Sequence, residues 1–502
     1  MARIVEPKRH ILNSRELFAA KTDENLRRVA TGGLREFPDC LRLANAAVLI
    51  FTMKPVRFFA LFLFSISLAL AAADDVTLPE RLFPELDRIL HAAVEQSPTM
   101  LLRNLDLEIS EGDLLQAQAG RYPSAGGYGR FTKARDDRQD LANPSNVDKV
   151  FYDISISQAL WRWNTVTNNA RMGEIRNKIV EHQYEDGYRL LAHQIRSDYL
   201  GLIVSKIVAD AAKFNQGRSE DELKVAEDRF AKGTTSGGEL FFVRMNLEQA
   251  RLSTDRAFAD FEQARRSFSR LTGQPMLNEN EVPAEIPVTP GGEETPDRLV
   301  AAFLSQGEPK NLNTLVLRKQ LEVESLNLEI QRKRLFPMVN FIVGVNQDEY
   351  SYTANVAAKY RVQSTYAGLS VSWSIFDGFA SRGAVRGTLA RKRQLEMRYR
   401  QLTENLAEGA QRQAKVVRFS LRQMRINDLL FDDRRNFLQA REDEMNRGTA
   451  SEADVNFARA AFNQSRITAF NGRAGYLMQM CDLLGTVMED PVLRNLKTLS
   501  HE

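Results

Sequence analysis

The sequence predicts a mainly α-helical chain with a small β part: long coiled-coil α-helical hairpins and four membrane β-strands, laid out as two copies of one half. Three observations carry this expectation. The sixteen prolines leave two long windows empty. Short motifs recur at a constant offset of 215 residues. Segments of strand length alternate apolar residues with small polar ones.

No proline occurs between 145 and 274 or between 338 and 490, whereas six fall between Pro275 and Pro309. A proline inside a helix costs about 3 kcal/mol. The two empty windows are rich in Ala, Leu, Arg, Glu and Gln, so they read as very long helices. The crowded stretch, 275–310, reads as a linker.

The windows are copies. Ile154-Ser155-Ile156-Ser157 matches Leu369-Ser370-Val371-Ser372, and Lys232-Gly233-Thr234-Thr235-Ser236 matches Arg447-Gly448-Thr449-Ala450-Ser451, both at the same offset. Such a repeat is too long for a solenoid unit and implies a duplicated half. Each half has one grammar: a first helix (98–120, 311–335), two strands, a very long helix (164–231, 378–446), a Gly-Thr turn, and a closing helix ending near Thr272 or Gly485. The closing helix carries a 3–4 seam through Leu240, Val243, Leu247, Ala250, Thr254, Ala257, Phe261, Ala264, Phe268 and Leu271, which is a coiled-coil pattern.

The strands alternate cleanly. Tyr152, Ile154, Ile156 and Leu160 interleave with Asp153, Ser155, Ser157 and Ala159. Leu369, Val371 and Trp373 interleave with Ser370, Ser372 and Ser374. An apolar face opposite a small polar face suits a barrel with lipid outside and water inside. A soluble sheet packed on one side alternates similarly. The aromatic residues favour the membrane: Trp161, Trp163 and Trp373 sit at or just past strand ends beside Phe376, as an interfacial belt would. Four strands cannot close a membrane barrel, and an open edge cannot face lipid. Membrane strands therefore require an oligomer.

The N-terminal region reads as targeting. Lys54-Pro55-Val56-Arg57, the apolar run from Phe58 and Ala71-Ala72-Ala73 form a basic region, an apolar core and a cleavage site. The expected organisation is 1–52 as a misassigned upstream extension, 53–73 as a signal peptide with Asp74 the mature N-terminus, and 74–274 as the first repeat. The linker 275–310, the second repeat 311–486 and a tail 487–502 follow. A genuine cytoplasmic tail followed by an uncleaved anchor is the alternative.

Of the 502 residues, 43% are hydrophobic and 26% charged, which excludes a disordered chain and a polytopic helical membrane protein. A net charge of +3 is too balanced for a nucleic-acid partner. Cys40 and Cys481 cannot build a thiolate zinc site, and the five histidines are scattered without an H-E-x-x-H pair. Cys481 reads as a buried, inert thiol. No nucleophile–base pair, metal-ligand set or phosphate-binding fingerprint is present, so no enzyme activity, metal or cofactor is expected.

With these residues in view, the chain resembles the TolC-like outer membrane efflux protein family over 84–486. The resemblance rests on the duplicated half, the helix–strand–strand–helix order and the two Gly-Thr turns. It also rests on Gln158-Ala159-Leu160-Trp161 and Ser374-Ile375-Phe376-Asp377-Gly378 at the strand-to-helix junctions. It implies a homotrimer: an outer-membrane β-barrel continuing into a periplasmic α-helical tunnel, docking onto a periplasmic adaptor (membrane fusion) protein and an inner-membrane pump. The implied function is the exit duct of a tripartite efflux or type I secretion system. A structural coiled-coil envelope protein without a pore stays open as the alternative.

The resemblance also implies roles for residues. The family's acidic ring at the closed tunnel end follows the second Gly-Thr turn. Asp454 matches its first acid, and Phe457 stands where the second would be. Ala450 and Met445 replace residues of the family's gate contacts. The turns themselves, with Lys232, Gly233, Thr234 and Ser236 in one half and Arg447, Gly448, Thr449 and Ser451 in the other, are the expected adaptor-docking tips. A plainer role for Asp454 is to cap its helix.

Overall fold

A computed structural model of the chain describes residues 76–136, 145–305, 307–351 and 359–493. The expected extension 1–52, signal peptide 53–73 and mature N-terminus Asp74 lie outside the described residues, as do Asp137 and 494–502 of the tail.

The first half opens with α1 (Pro79–Leu82), α2 (Pro84–Gln96) and α3 (Pro98–Ala119), then β1 (Ser124–Asp136) and β2 (Ser145–Trp161). The long helix α4 (Thr165–Ala231) and the closing helix α5 (Gly237–Thr272) follow. The second half repeats the order with α6 (Thr295–Ser305), α7 (Leu312–Arg332), β3 (Met338–Ser351), β4 (Lys359–Ser372), α8 (Ala380–Asn446) and α9 (Glu452–Thr486). Proline starts α1, α2 and α3, where its missing N–H costs nothing.

Both long helices have 67 residues, about 100 Å at 1.5 Å per residue. Next to the sheet, the packing order across the helical layer is α3–α4–α7–α8; towards the far ends it is α5–α4–α9–α8. The seam of α5 is real: Leu240, Leu247, Thr254, Phe261 and Phe268 are buried, one per heptad. Thr254, the polar member, is satisfied because its Oγ1 donates to the Ala212 and Ala250 carbonyls at 3.1 and 3.0 Å.

The four strands form one antiparallel sheet in the order β1–β2–β3–β4. Asp136, expected in a loop, is the last paired residue of β1, opposite Ser145. Gly126, Gly127 and Gly129 lie within β1. One bulge interrupts the ladder, between Ala159 and Trp161 on β2. It leaves Leu160 outside the pairing and sets Trp161 opposite Val339. The simple alternation read through Leu160 therefore ends two residues early, because a bulge turns the following residues by half a pleat.

The stretch 275–310 is more than a linker. Helix α6 lies within it and buries Pro296, Leu299, Val300 and Phe303 against the α8–α9 core. Its chain also feeds the core of the first half, where Val282 and Ile286 are buried. The tail likewise begins inside the fold: Val487, Asp490 and Val492 are buried.

At the middle of α4, Arg196 is fully buried. Its guanidinium donates to Glu80 from Nε and Nη2 at 3.0 and 2.5 Å, and to Asp490 from Nη1 and Nη2 at 2.8 and 3.1 Å. Two bidentate carboxylates give a buried cation the pairing it needs. Nearby, burial pushes the Cys481 thiol up, which fits an inert side chain.

Candidate functional site

The strand register sorts the sheet into two faces. Ile154 and Ile156 share one face with Phe341, Val343, Leu369 and Val371, and all six are exposed in the single chain. The opposite face carries Asp153, Ser155, Ser157, Asn340 and Ser370. There Tyr366 lies over Gly344, and its hydroxyl donates to Asp153 Oδ2 at 3.0 Å. The apolar stripe stops at the loop end of the sheet, where Glu349 accepts from Arg361 at 3.2 Å and from the Val150 amide at 3.1 Å. Neither β1 nor β4 has a second neighbour among the described residues, so both sheet edges are open.

The strand-to-helix junctions hold the expected aromatic belt. Trp161 ends β2, Trp163 follows two residues later, and Trp373 comes directly after β4. Trp163 Nε1 donates to the Pro337 carbonyl at 2.8 Å, and Trp373 Nε1 donates to the Leu335 carbonyl at 3.0 Å. Both indoles therefore grip the one turn between α7 and β3. Trp163 also meets Trp161 and Phe336 edge-on, with ring centroids 5.7 and 4.8 Å apart. Phe376 packs on Phe379 at 5.3 Å. Apolar rings with one polar atom satisfied suit a headgroup level.

The chain turns the corner in the same way twice. Trp163 and Asn164 have φ of 52° and 65°; Gly378 and Phe379, 215 residues on, have 63° and 65°. Two successive left-handed residues are costly for non-glycine side chains. Trp163 is held there by its hydrogen bond and its two ring contacts. In the second half Asp377 caps α8, its Oδ2 accepting from the Ser381 amide at 2.9 Å and from the Ser381 hydroxyl.

Below the serine face an open concavity of about 1160 Å³ reaches down the helices. Ser124, Ser157, Asp113, Arg162, Asn169 and Arg176 are among its lining residues. It is polar, with both charge signs, and has no convergent reactive group. Among the described residues no three His, Cys, Asp or Glu side chains group as metal ligands. Among the described residues no helix is long and apolar enough to cross a membrane.

The hairpin tips repeat in detail. Lys232 and Arg447 are C-caps, and Gly233 and Gly448 take φ of 73° and 78°, the left-handed turn glycine allows. Thr234 and Thr449 each donate a hydroxyl to a carbonyl of the preceding helix, Arg229 and Glu444, at 2.9 and 3.0 Å. Ser236 and Ser451 then cap α5 and α9. Beyond the turns Arg244 pairs with Glu227 at 3.0 Å, and Arg459 pairs with Glu442 at 2.5 Å. These pairs, which sequence reading did not single out, stand at the same 215-residue offset. Phe242 and Phe457, also counterparts, are both exposed at the tips.

Asp454 closes a capping box. Its Oδ2 accepts from the Ser451 hydroxyl at 2.6 Å and the Ser451 amide at 3.0 Å, while its own amide donates to Ser451 Oγ at 3.2 Å. The Ser451 hydroxyl and amide hold this exposed carboxyl below the usual carboxylate range. It is ionised near neutral pH and stands on the last turn of a hairpin.

The outer membrane efflux protein family matches residues 89–274 and 310–483, the two halves without most of the intervening segment. The chain belongs to the outer membrane efflux protein family. No curated protein matches it significantly. Solved structures of similar fold include the outer membrane protein VceC of Vibrio cholerae, at 13% identity, with 81% of this chain and 97% of that chain covered and a TM-score of 0.59. The CmeC outer membrane channel of Campylobacter jejuni matches at 13% identity, covering 82% of this chain and 88% of its own, with a TM-score of 0.63. The MtrE outer membrane channel of Neisseria gonorrhoeae, in its open state, matches at 12% identity, 80% and 89% coverage and a TM-score of 0.58. At these identities the likeness is one of fold. An outer membrane efflux protein is a channel component, and the mainly helical chain with one four-stranded sheet is the architecture these matches share.

Proposed function

We propose that the chain is the exit duct of a tripartite efflux or type I secretion system, assembled as a homotrimer in outer-membrane lipid. The observation that carries this reading is the four-stranded sheet. One face is apolar and exposed, the other is serine-rich, and both edges are open. Unpaired strand edges cannot stand in hydrocarbon, so the sheet must be completed by other copies. Three copies supply twelve strands, enough to close a membrane barrel. The helices then continue the wall as a periplasmic tunnel about 100 Å long.

In this reading the duct does no chemistry. Cargo moves passively past small polar side chains, driven by an inner-membrane pump. The belt of Trp161, Trp163, Trp373 and Phe376 sits at the periplasmic membrane interface. The tips at Lys232–Ser236 and Arg447–Ser451 meet the adaptor, and Asp454 stands at the constriction. Its capping role and its pore role are compatible, because only Oδ2 is used in the box.

The test is reconstitution. Protein extracted from outer membranes with detergent should conduct ions in planar bilayers, and cells lacking it should accumulate a substrate of the cognate pump. A detergent-extracted protein that never conducts, with unchanged substrate accumulation in its absence, would favour a structural envelope role.

A further inference from the structure

We infer that neighbouring copies of this chain are joined by a polarised seam, with Glu108 and Glu111 of α3 on one copy against Arg386 and Arg393 of α8 on the next. The inference rests on the proposed trimer and names the surface that builds it.

The argument begins inside one chain. Next to the sheet the helices run α3–α4–α7–α8, and α3 and α7 are the matching first helices of the two halves, as α4 and α8 are the matching long ones. The internal α4–α7 contact therefore joins the long helix of one half to the first helix of the following half. When copies stand side by side, α8 of one and α3 of the next repeat that relationship. The sheet agrees, since β4 and β1 are its two open edges in the same order. The chain thus contains a template for its own subunit contact.

The template is apolar. Met172, Ile175 and Ile179 of α4 pack with Leu326, Val316, Val323 and Ile330 of α7. Arg171 adds an ion pair to Glu322 at 3.1 Å. Shifted by 215 residues, the three α4 positions become Gly387, Ala390 and Gln394. Leu326, Val316, Val323 and Ile330 become Glu111, Leu101, Glu108 and Leu115. The same shift carries Arg171 to Arg386 and Lys178 to Arg393.

Charge has diverged with the apolar residues. The internal seam joins balanced helices: residues 165–185 hold three basic and three acidic side chains, and α7 also holds three of each. The outer edges are polarised. Helix α3 has one arginine against four carboxylates, and residues 380–400 of α8 have seven basic side chains against one acid. Glu108, Glu111, Arg386 and Arg393 are all exposed, and none has an ion-pair partner among the described residues.

Sizes match as well. Gly387 and Ala390 vacate the space that Met172 and Ile175 fill inside the chain. Leu101 and Leu115, exposed in the single chain, can pack there while the arginines reach past them to the glutamates. Contact between like edges would set acid against acid or base against base. The polarity therefore selects the head-to-tail contact that closes a ring, and disfavours a two-fold dimer.

The experiment uses the full-length chain, extracted from outer membranes in detergent. Ala390→Cys with Glu111→Cys, the counterparts of Ile175 and Leu326, should give an oxidant-dependent covalent trimer in a Cys40→Ser background. Arg386→Glu with Arg393→Glu should lower the trimer-to-monomer ratio about tenfold, because like charges then face each other. Adding Glu108→Lys and Glu111→Lys should restore it. Trimers of native mass that neither cross-link nor respond to reversal would overturn the seam while leaving the proposed duct standing. Unsubstituted protein that is monomeric in detergent would remove both. Should the reversed chain not accumulate, the cysteine pair decides alone.

Discussion

Tyr366 reaches across Gly344 to Asp153, its hydroxyl 3.0 Å from Oδ2, and so ties β4 to β2 over the intervening strand. The glycine is required by this crossing. A Cβ at position 344 would stand 2.7 Å from the Tyr366 hydroxyl oxygen and 2.8 Å from the Ile154 carbonyl oxygen. Gly344→Ala should destabilise the sheet by about 1–3 kcal/mol, as overpacking does. Heating detergent-extracted protein and following loss of the oligomer on gels measures it. Tyr366→Phe, which keeps the ring and loses the bond, should cost less.

The two sheet faces should tolerate charge differently. Ile156→Arg or Val371→Arg places a guanidinium in lipid at about 2–4 kcal/mol if near the midplane. Ser155→Arg or Ser370→Arg places it in water. Outer-membrane yield of the oligomer should fall sharply for the first two and little for the others. Equal yields for all four would take these strands out of the membrane.

The tip turns separate docking from assembly. Gly448 has a φ of 78°, which proline cannot adopt. Gly448→Pro should distort one tip while leaving the sheet and the junction intact, some 100 Å away. Export should be lost with the oligomer still in the outer membrane. Normal export by this variant would leave the turn with a structural role alone.

Asp454 gives a prediction in pH. Its carboxyl is held below the usual range by Ser451, so the folded pKa lies under the unfolded value of about 4. Its contribution to the tip is complete above that value and fades as pH falls through the folded pKa. Single-channel conductance and cation preference should therefore be steady near neutral pH and change only in acid. Asp454→Ala should show the altered conductance at every pH, and an unchanged trace would place Asp454 outside the pore.

Arg196 should be the least replaceable charge in the helical body. Removing it leaves Glu80 and Asp490 facing each other, and breaking a buried pair costs about 3–5 kcal/mol. Arg196→Met should lower the denaturation midpoint more than Arg88→Met, whose ion pair with Glu85 is exposed.

The periodic and repeated parts of this fold were legible in the sequence. Proline-free windows and Gly-Thr turns set the ends of α4 and α8 to within about two residues of those observed, because helix propensity and turn chemistry are local. The faces of β2 and β4 followed from alternation. What stayed hidden depends on contacts far along the chain. Helix α6 lay in a stretch whose prolines suggested a linker, although Thr295-Pro296-Asp297 before Leu299, Val300 and Phe303 is a helix start. The partners of Arg196 stand 116 and 294 residues away, and no local pattern announces them. The same holds for the left-handed backbone of Trp163, which only the turn at Pro337 explains. Asp454 was read towards the pore, and the local S-x-x-D spacing that closes its capping box was the stronger signal.

The clasp at Arg196 also sets an order of events. The guanidinium lies at the centre of the first long helix, yet one of its two carboxylates arrives only with residue 490. Until then any collapse around the middle of α4 would bury a cation with half its partners missing. The midsection therefore closes late, after both long hairpins have been delivered, and a nascent chain crossing the envelope stays open at its waist until nearly its last helix is in place.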